Sequence, residues 1–262
     1  MASVLLQEER GEALWLTLNR PDDMNAVTPD LVREVTTAME AATGRGKHRA
    51  VVITGAGRAF CAGADLKFFR EVIDRPETGE ARQFVEGFIE MTLAIERFPG
   101  PVIAAVNGLA LAGGLEIVLS CDLVIAARSA KLGDAHANFG LVPGGGSSIR
   151  LPRKIGATAA LYLLYTGAFV PAEELVACGL VNRVVPDDQL ESEVGALVET
   201  LAAKSPLSLA RMKTLVHDGL AQPLETALRL ETSIFDIHSR SKDIQEGLTA
   251  FGEKRKPVYR GE

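Results

Sequence analysis

PVIAAVNGLALAGGLEIVLSCDLVIAA, residues 101–127, contains the longest apolar run of the chain. Read as a whole, residues 101–119 suggest a membrane span. Asn107, Gly108, Gly113, Gly114 and Glu116 interrupt them too often for ~20 residues facing lipid. A strand over PVIAAVNG, a loop of small residues and a buried helix starting near Gly113 fit better, with DLVIAA (122–127) as the next strand.

The same alternation extends upstream. VLLQEERGEALWLTLN reads as the start of a β-meander, two β-rich runs divided by Arg10-Gly11-Glu12. Thr28 caps a helix with Pro29 at its first position, and Leu31, Val35, Ala38, Met39 and Ala42 share one helical face. RAVVIT (49–54) is a short apolar strand. Phe84, Phe88, Met91, Ile95 and Phe98 then mark an amphipathic helix over 81–98, stopped by Pro99-Gly100-Pro101. Strand and helix in this order predict an α/β fold with a largely parallel sheet.

From about residue 155 the pattern turns helical. Leu190, Val194, Leu197 and Leu201 mark one helix, Ser205-Pro206 opens the next, and Leu224, Ala227, Leu228 and Phe235 mark a third. No repeat or linker divides the chain. We therefore expect one domain, with a core over 1–200 and a helical region over 201–262.

The 262 residues are 47% hydrophobic and 24% charged, and the formal net charge is -6. A general nucleic-acid binder needs an excess of Lys and Arg, so that class is disfavoured. Cys61, Cys121 and Cys178 lie far apart with no zinc spacing, and read as buried, reduced thiols. The first residues, MASVLLQEERGE, are too short and acidic for a leader peptide. The expectation is a cytoplasmic protein with no metal and no membrane association.

Three segments carry candidate chemistry. GAGRAFCAGADL (55–66) begins GxG after a strand, but Phe60 stands where a dinucleotide fingerprint needs its third glycine. It is a turn of small residues, or a place where Gly63 and Ala64 leave backbone N–H groups open to a ligand. In NGLALAGGLEIVLSCD (107–122), Glu116 lies among Leu115, Ile117 and Val118. A carboxylate there is either functional or a paired structural group. In KLGDAHANFGLVPGGGSSIRLPRKIG (131–156), the glycine run lacks the Lys of a Walker motif. His136, twenty residues after Glu116, is a lone histidine of the kind that is more often structural than catalytic.

These three segments, with the ending DIQEGLTAFGEKRKP (243–257), resemble the enoyl-CoA hydratase/isomerase (crotonase) family over essentially the whole chain. The resemblance implies a spiral of ββα turns with a helical C-terminal region, assembled as trimers or hexamers. It implies an acyl-CoA substrate and no other cofactor. The thioester carbonyl would lie between the N–H groups of Ala64 and Gly113, an oxyanion hole whose donors are each worth roughly 2.7–4 kcal/mol to an enolate. Glu116 matches the first of the family's two catalytic glutamates, and His136 stands at the place of the second. Ala62, Ala64, Asp65, Leu66, Lys67 and Gly113 would line the coenzyme A site. Phe251 and Lys254 would reach the nucleotide from a neighbouring subunit. The implied reaction is hydration of a 2-enoyl-CoA. Double-bond isomerisation, decarboxylation, thioester hydrolysis, or acyl-CoA binding with little turnover are the alternatives.

Overall fold

The computed structural model describes residues 3–262. Leu5–Arg10 (β1) and Ala13–Leu18 (β2) form an antiparallel hairpin around Gly11 and Glu12. β1 is the edge of its sheet and exposes Glu8 and Glu9, charges that discourage further strand pairing. The expected meander stops there. Thr28 Oγ1 accepts from the Leu31 N–H and Pro29 opens α1 (Pro29–Arg45). That helix carries the chain across, so Ala50–Gly55 (β3) pairs parallel to β2.

The next three turns repeat one order: long strand, short strand, helix. After β3 come Ala59–Cys61 (β4), Leu66–Ile73 (α2) and Glu80–Arg97 (α3). Val102–Val106 (β5), Leu109–Leu111 (β6) and Gly113–Ser120 (α4) make the next turn. Leu123–Ala127 (β7) and Lys131–Gly133 (β8) lead through a 3-10 turn at His136–Phe139 to Ser147–Ile155 (α5) and Ala157–Thr166 (α6). Val170–Pro171 (β9), Arg183–Val185 (β10) and Leu190–Ala202 (α7) close the core. Pro206–Leu220 (α8), Leu224–His238 (α9) and Lys242–Gly252 (α10) follow.

The five long strands and the short β10 form a six-stranded sheet in the order β1-β2-β3-β5-β7-β10, parallel except for β1. The other short strands form a second sheet, β4-β6-β8-β9, with only β9 antiparallel. This is the expected spiral of ββα turns with a helical C-terminal region. β3 and β5 are buried along their length, as strands covered on both faces must be, and α7 lies across β3, β5 and β7. Cys61 and Cys121 are buried, and burial pushes each thiol up to about 12. Cys178 is only half-buried, against expectation, because it lies near the surface after a 3-10 turn at Ala172–Leu175.

Two asparagines fix the loop ahead of the small sheet. Asn25, fully buried at φ +57°, accepts from the Arg20 N–H (2.8 Å) and donates to the carbonyls of Ala56 (2.9 Å) and Ala59 (2.8 Å). Asn107 accepts from the Gly55 N–H and donates to the Gly57 and Ala59 carbonyls. Beside Asn25, the Met24 carbonyl accepts from Ala62, and Val27 pairs with residues 63–65. In Asn25→Ala the Arg20 N–H and the Ala56 carbonyl lose their partner, the Ala59 carbonyl keeps only Asn107, and an alanine occupies a left-handed conformation. We expect a loss of about 2–4 kcal/mol, read as a lower urea midpoint with an unchanged slope.

Candidate active site

Three chain segments meet because three short strands pair in parallel. Residues 62–65 follow β4, Ala112 and Gly113 follow β6, and Asp134 to His136 follow β8. Parallel pairing delivers all three to the same, carboxyl-terminal edge of the small sheet. Open α/β sheets bind ligands at such edges.

Ala64 and Gly113 line one cavity, and neither N–H has a hydrogen-bond partner among the described residues. Gly113 is the first residue of α4, where backbone donors are free and the helix dipole favours negative charge. Ala112, just before it, sits at φ 47°, ψ -115°, a conformation that costs a non-glycine residue about 1–3 kcal/mol. Gly63 holds the facing segment at φ +105°. A Cβ there would stand 2.9 Å from the Ala112 Cβ, so only glycine lets the two segments come this close.

Glu116, one turn into α4, is 2% exposed. Its Oε1 accepts from the N–H groups of Gly145 (2.8 Å) and Ser147 (3.1 Å). The glycine run at 144–146, which a sequence reading compares with a phosphate loop, thus turns the Gly145 N–H, with that of Ser147 just after it, to a carboxylate. A side chain at Gly145 would collide with the Phe88 ring and approach Glu116 Oε2 to 2.6 Å. Arg150 braces this loop, bonding the Gly145 carbonyl (2.7 Å), Glu96 (2.6 Å) and Thr92 (3.2 Å). Burial raises the Glu116 pKa above the ordinary 4.5. The Ser147 N–H, the charge of His136 and the Gly145 N–H only partly oppose it.

His136 lines the same cavity, with its side chain 12% exposed. Its Nδ1 lies 3.0 Å from Asp134 Oδ1, and an acceptor-only carboxylate fixes Nδ1 as the donor. The remaining walls, including Val27, Phe69, Phe84, Val85, Phe88 and Leu141, are apolar. A groove lined by Ala62, Ala64, Asp65, Leu66 and Lys67 opens beside the cavity and shares Ala64, His136 and Leu141 with it. Within the groove Asp65 has structural work: it caps α2 through the Lys67 and Phe68 N–H groups and pairs with Arg20 (3.0 Å).

Of the candidate residues, Ala62, Ala64, Asp65, Leu66, Lys67, Gly113, Glu116 and His136 come together. Phe251 and Lys254 do not line the cavity or the groove; Phe251 is 86% exposed at the end of α10. Sequence reading misses Asp134, Gly145, Ser147 and Arg150. A glycine run twenty-eight residues after a lone buried carboxylate is the only signal that could have suggested Gly145.

The family model described as enoyl-CoA hydratase/isomerase matches residues 8–262. A crotonyl-CoA hydratase of Syntrophomonas wolfei is 36% identical, over 98% of this chain and 97% of that one. A short-chain-enoyl-CoA hydratase of Clostridium acetobutylicum is 34% identical, over 97% and 96%. The crystal structure of an enoyl-CoA hydratase from Bacillus anthracis superposes with a TM-score of 0.94 at 36% identity, covering 99% of this chain and all of the other. With open N–H groups, a buried glutamate and an apolar cavity arranged on this spiral, the chain belongs to the enoyl-CoA hydratase/isomerase family.

Proposed function

We propose that this chain is a hydratase that adds water across the double bond of a 2-enoyl-CoA, with Glu116 and His136 as its proton-transfer groups. The observation that carries the reading is the single cavity shared by the unpartnered N–H groups of Ala64 and Gly113 and by Glu116. The thioester oxygen binds between the two N–H groups, which stabilise the negative charge that builds there as water attacks Cβ. Glu116 takes a proton from the water while its oxygen bonds to Cβ, and His136 Nε2 gives a proton to Cα. Turnover then leaves Glu116 protonated and His136 neutral, and exchange with solvent resets both. The apolar walls take the acyl chain, and the neighbouring groove takes the pantetheine arm.

The third substrate contact belongs to another copy of the chain. α8 and α9 fully bury no residue, and they expose Met212, Val216, Leu220, Leu224, Leu228 and Phe235. We propose residues 201–262 as the trimerisation region, with Phe251 and Lys254 reaching the nucleotide of a neighbouring subunit. No helix among the described residues is long and apolar enough to cross a membrane.

Incubation with crotonyl-CoA, followed by mass spectrometry and a thiol assay, tests the reaction. A gain of one water with no free thiol is expected, and thiol release or an unchanged substrate contradicts it. Glu116→Gln should lower kcat roughly 10²–10⁴-fold and leave coenzyme A affinity within a few-fold. The kcat profile should rise through a pKa above 4.5, as Glu116 must be ionised to act as base. It should fall again as His136 loses its proton, and His136→Ala should remove that alkaline limb. Light scattering should give a trimer or hexamer. Lys254→Ala should weaken acyl-CoA binding most at low salt, because an ammonium facing a phosphate is screened at high salt.

A further inference from the structure

Asp134 is 1% exposed, and its carboxylate makes no hydrogen bond among the described residues except to His136. Oδ1 takes the imidazole Nδ1 (3.0 Å) and, at a longer 3.4 Å, the His136 backbone N–H, while the buried Oδ2 has no partner. A carboxylate needed only for structure would cap a helix or tie two elements together, as Asp65 and Asp122 do. Asp134 does neither. Its hold on the ring is set by a tight turn in which Ala135 takes φ +60° and the His136 N–H donates to the Asp134 carbonyl (2.8 Å).

We propose that Asp134 is a positioning residue for the hydration: it locks the His136 ring with Nδ1 as donor, turns Nε2 to the acyl cavity, and keeps the imidazole protonated as the acid towards Cα. A buried carboxylate with one imidazole for a partner is compensated only when that imidazole carries the proton. Glu116 on α4 is the second anion beside the ring. Asp22, Asp23, Asp65 and Lys67 line the outer groove that the ring also borders. The α6 helix packed behind the turn carries no Asp, Glu, Lys, Arg or His, only the exposed phenols Tyr162 and Tyr165. Burial by itself lowers the imidazole pKa. The hydrogen bond and charge of Asp134, with the charge of Glu116, overcome it and leave His136 above the ordinary 6.5.

The assignment rests on the hydratase reading, so its test needs one readout free of turnover. Nitrogen-15 NMR of the ligand-free wild type, with the ring assigned by comparison with His136→Gln, reports tautomer and pKa directly. The neutral ring should be the Nδ1–H tautomer, and its pKa should lie above that of an exposed histidine. The near-isosteric Asp134→Asn should lower that pKa and shift the alkaline limb of kcat to lower pH by the same amount. It should cost about 10–100-fold in kcat at neutral pH, by analogy with carboxylates that orient metal-bound imidazoles, and leave KM within a few-fold. An Nε2–H tautomer in the wild type overturns the proposal, whether or not the variant folds. So does an Asp134→Asn enzyme whose His136 titration and kcat profile match the wild type. A wild type that titrates as expected but hydrates no enoyl-CoA would instead remove the hydratase reading, and with it the role towards Cα.

Discussion

The Glu116 carboxylate, buried among apolar side chains and held by the Gly145 and Ser147 N–H groups, is the constraint to which the rest of the site is fitted. An isolated carboxylate in such surroundings is unstable as an ion, so it needs backbone donors. Those donors exist because the 144–146 turn presents the unpaired N–H groups at the start of α5. The turn can approach only because residue 145 has no side chain to meet Phe88. Arg150 then fixes the turn to α3 through Glu96 and Thr92, which links the carboxylate to the outer helical layer.

The small sheet does the equivalent work for the rest of the chemistry. Its strands are three residues or fewer, yet the parallel pairing of β4, β6 and β8 places their ends side by side. The open N–H groups of Ala64 and Gly113 and the Asp134–His136 pair are all consequences of that alignment. Strain accompanies it: Ala112 and Ala135, each immediately before a site residue, are non-glycine residues at positive φ. The six-stranded sheet supplies the rigidity that keeps these conformations in place, since its central strands are buried on both faces.

The helices past α7 follow a different logic. They and the tail after α10 are joined to the core by polar ties such as Lys213 to Asp122 (2.8 Å) and Arg49 to the Tyr259 carbonyl (3.0 Å), while much of the helices' apolar surface stays exposed. Helices with apolar faces that the chain does not cover suit contact with further copies of the chain, which is where the proposed roles of Phe251 and Lys254 belong.

Local patterns in the sequence determined the main elements. The Thr28-Pro29 cap, the repeat from Phe84 to Phe98, the apolar strands of the large sheet, the helix start at Gly113 and the Ser205 cap depend on neighbours within a turn or two, which the sequence records directly. Family motifs single out Ala64, Gly113, Glu116 and His136 from the sequence alone. The short strands are hidden in the sequence because three residues carry no readable period, and a meander is not formed because α1 returns the chain so that β3 runs parallel to β2. Asp134, Gly145 and Arg150 were invisible as site residues because their roles rest on what lies across the cavity. One carboxylate faces a ring, one N–H meets a glutamate twenty-nine positions away, and one guanidinium reaches back to α3. A sequence records which groups the chain owns. Only the fold sets which of them share an apolar cavity, and there burial and the nearest charge decide where each proton sits.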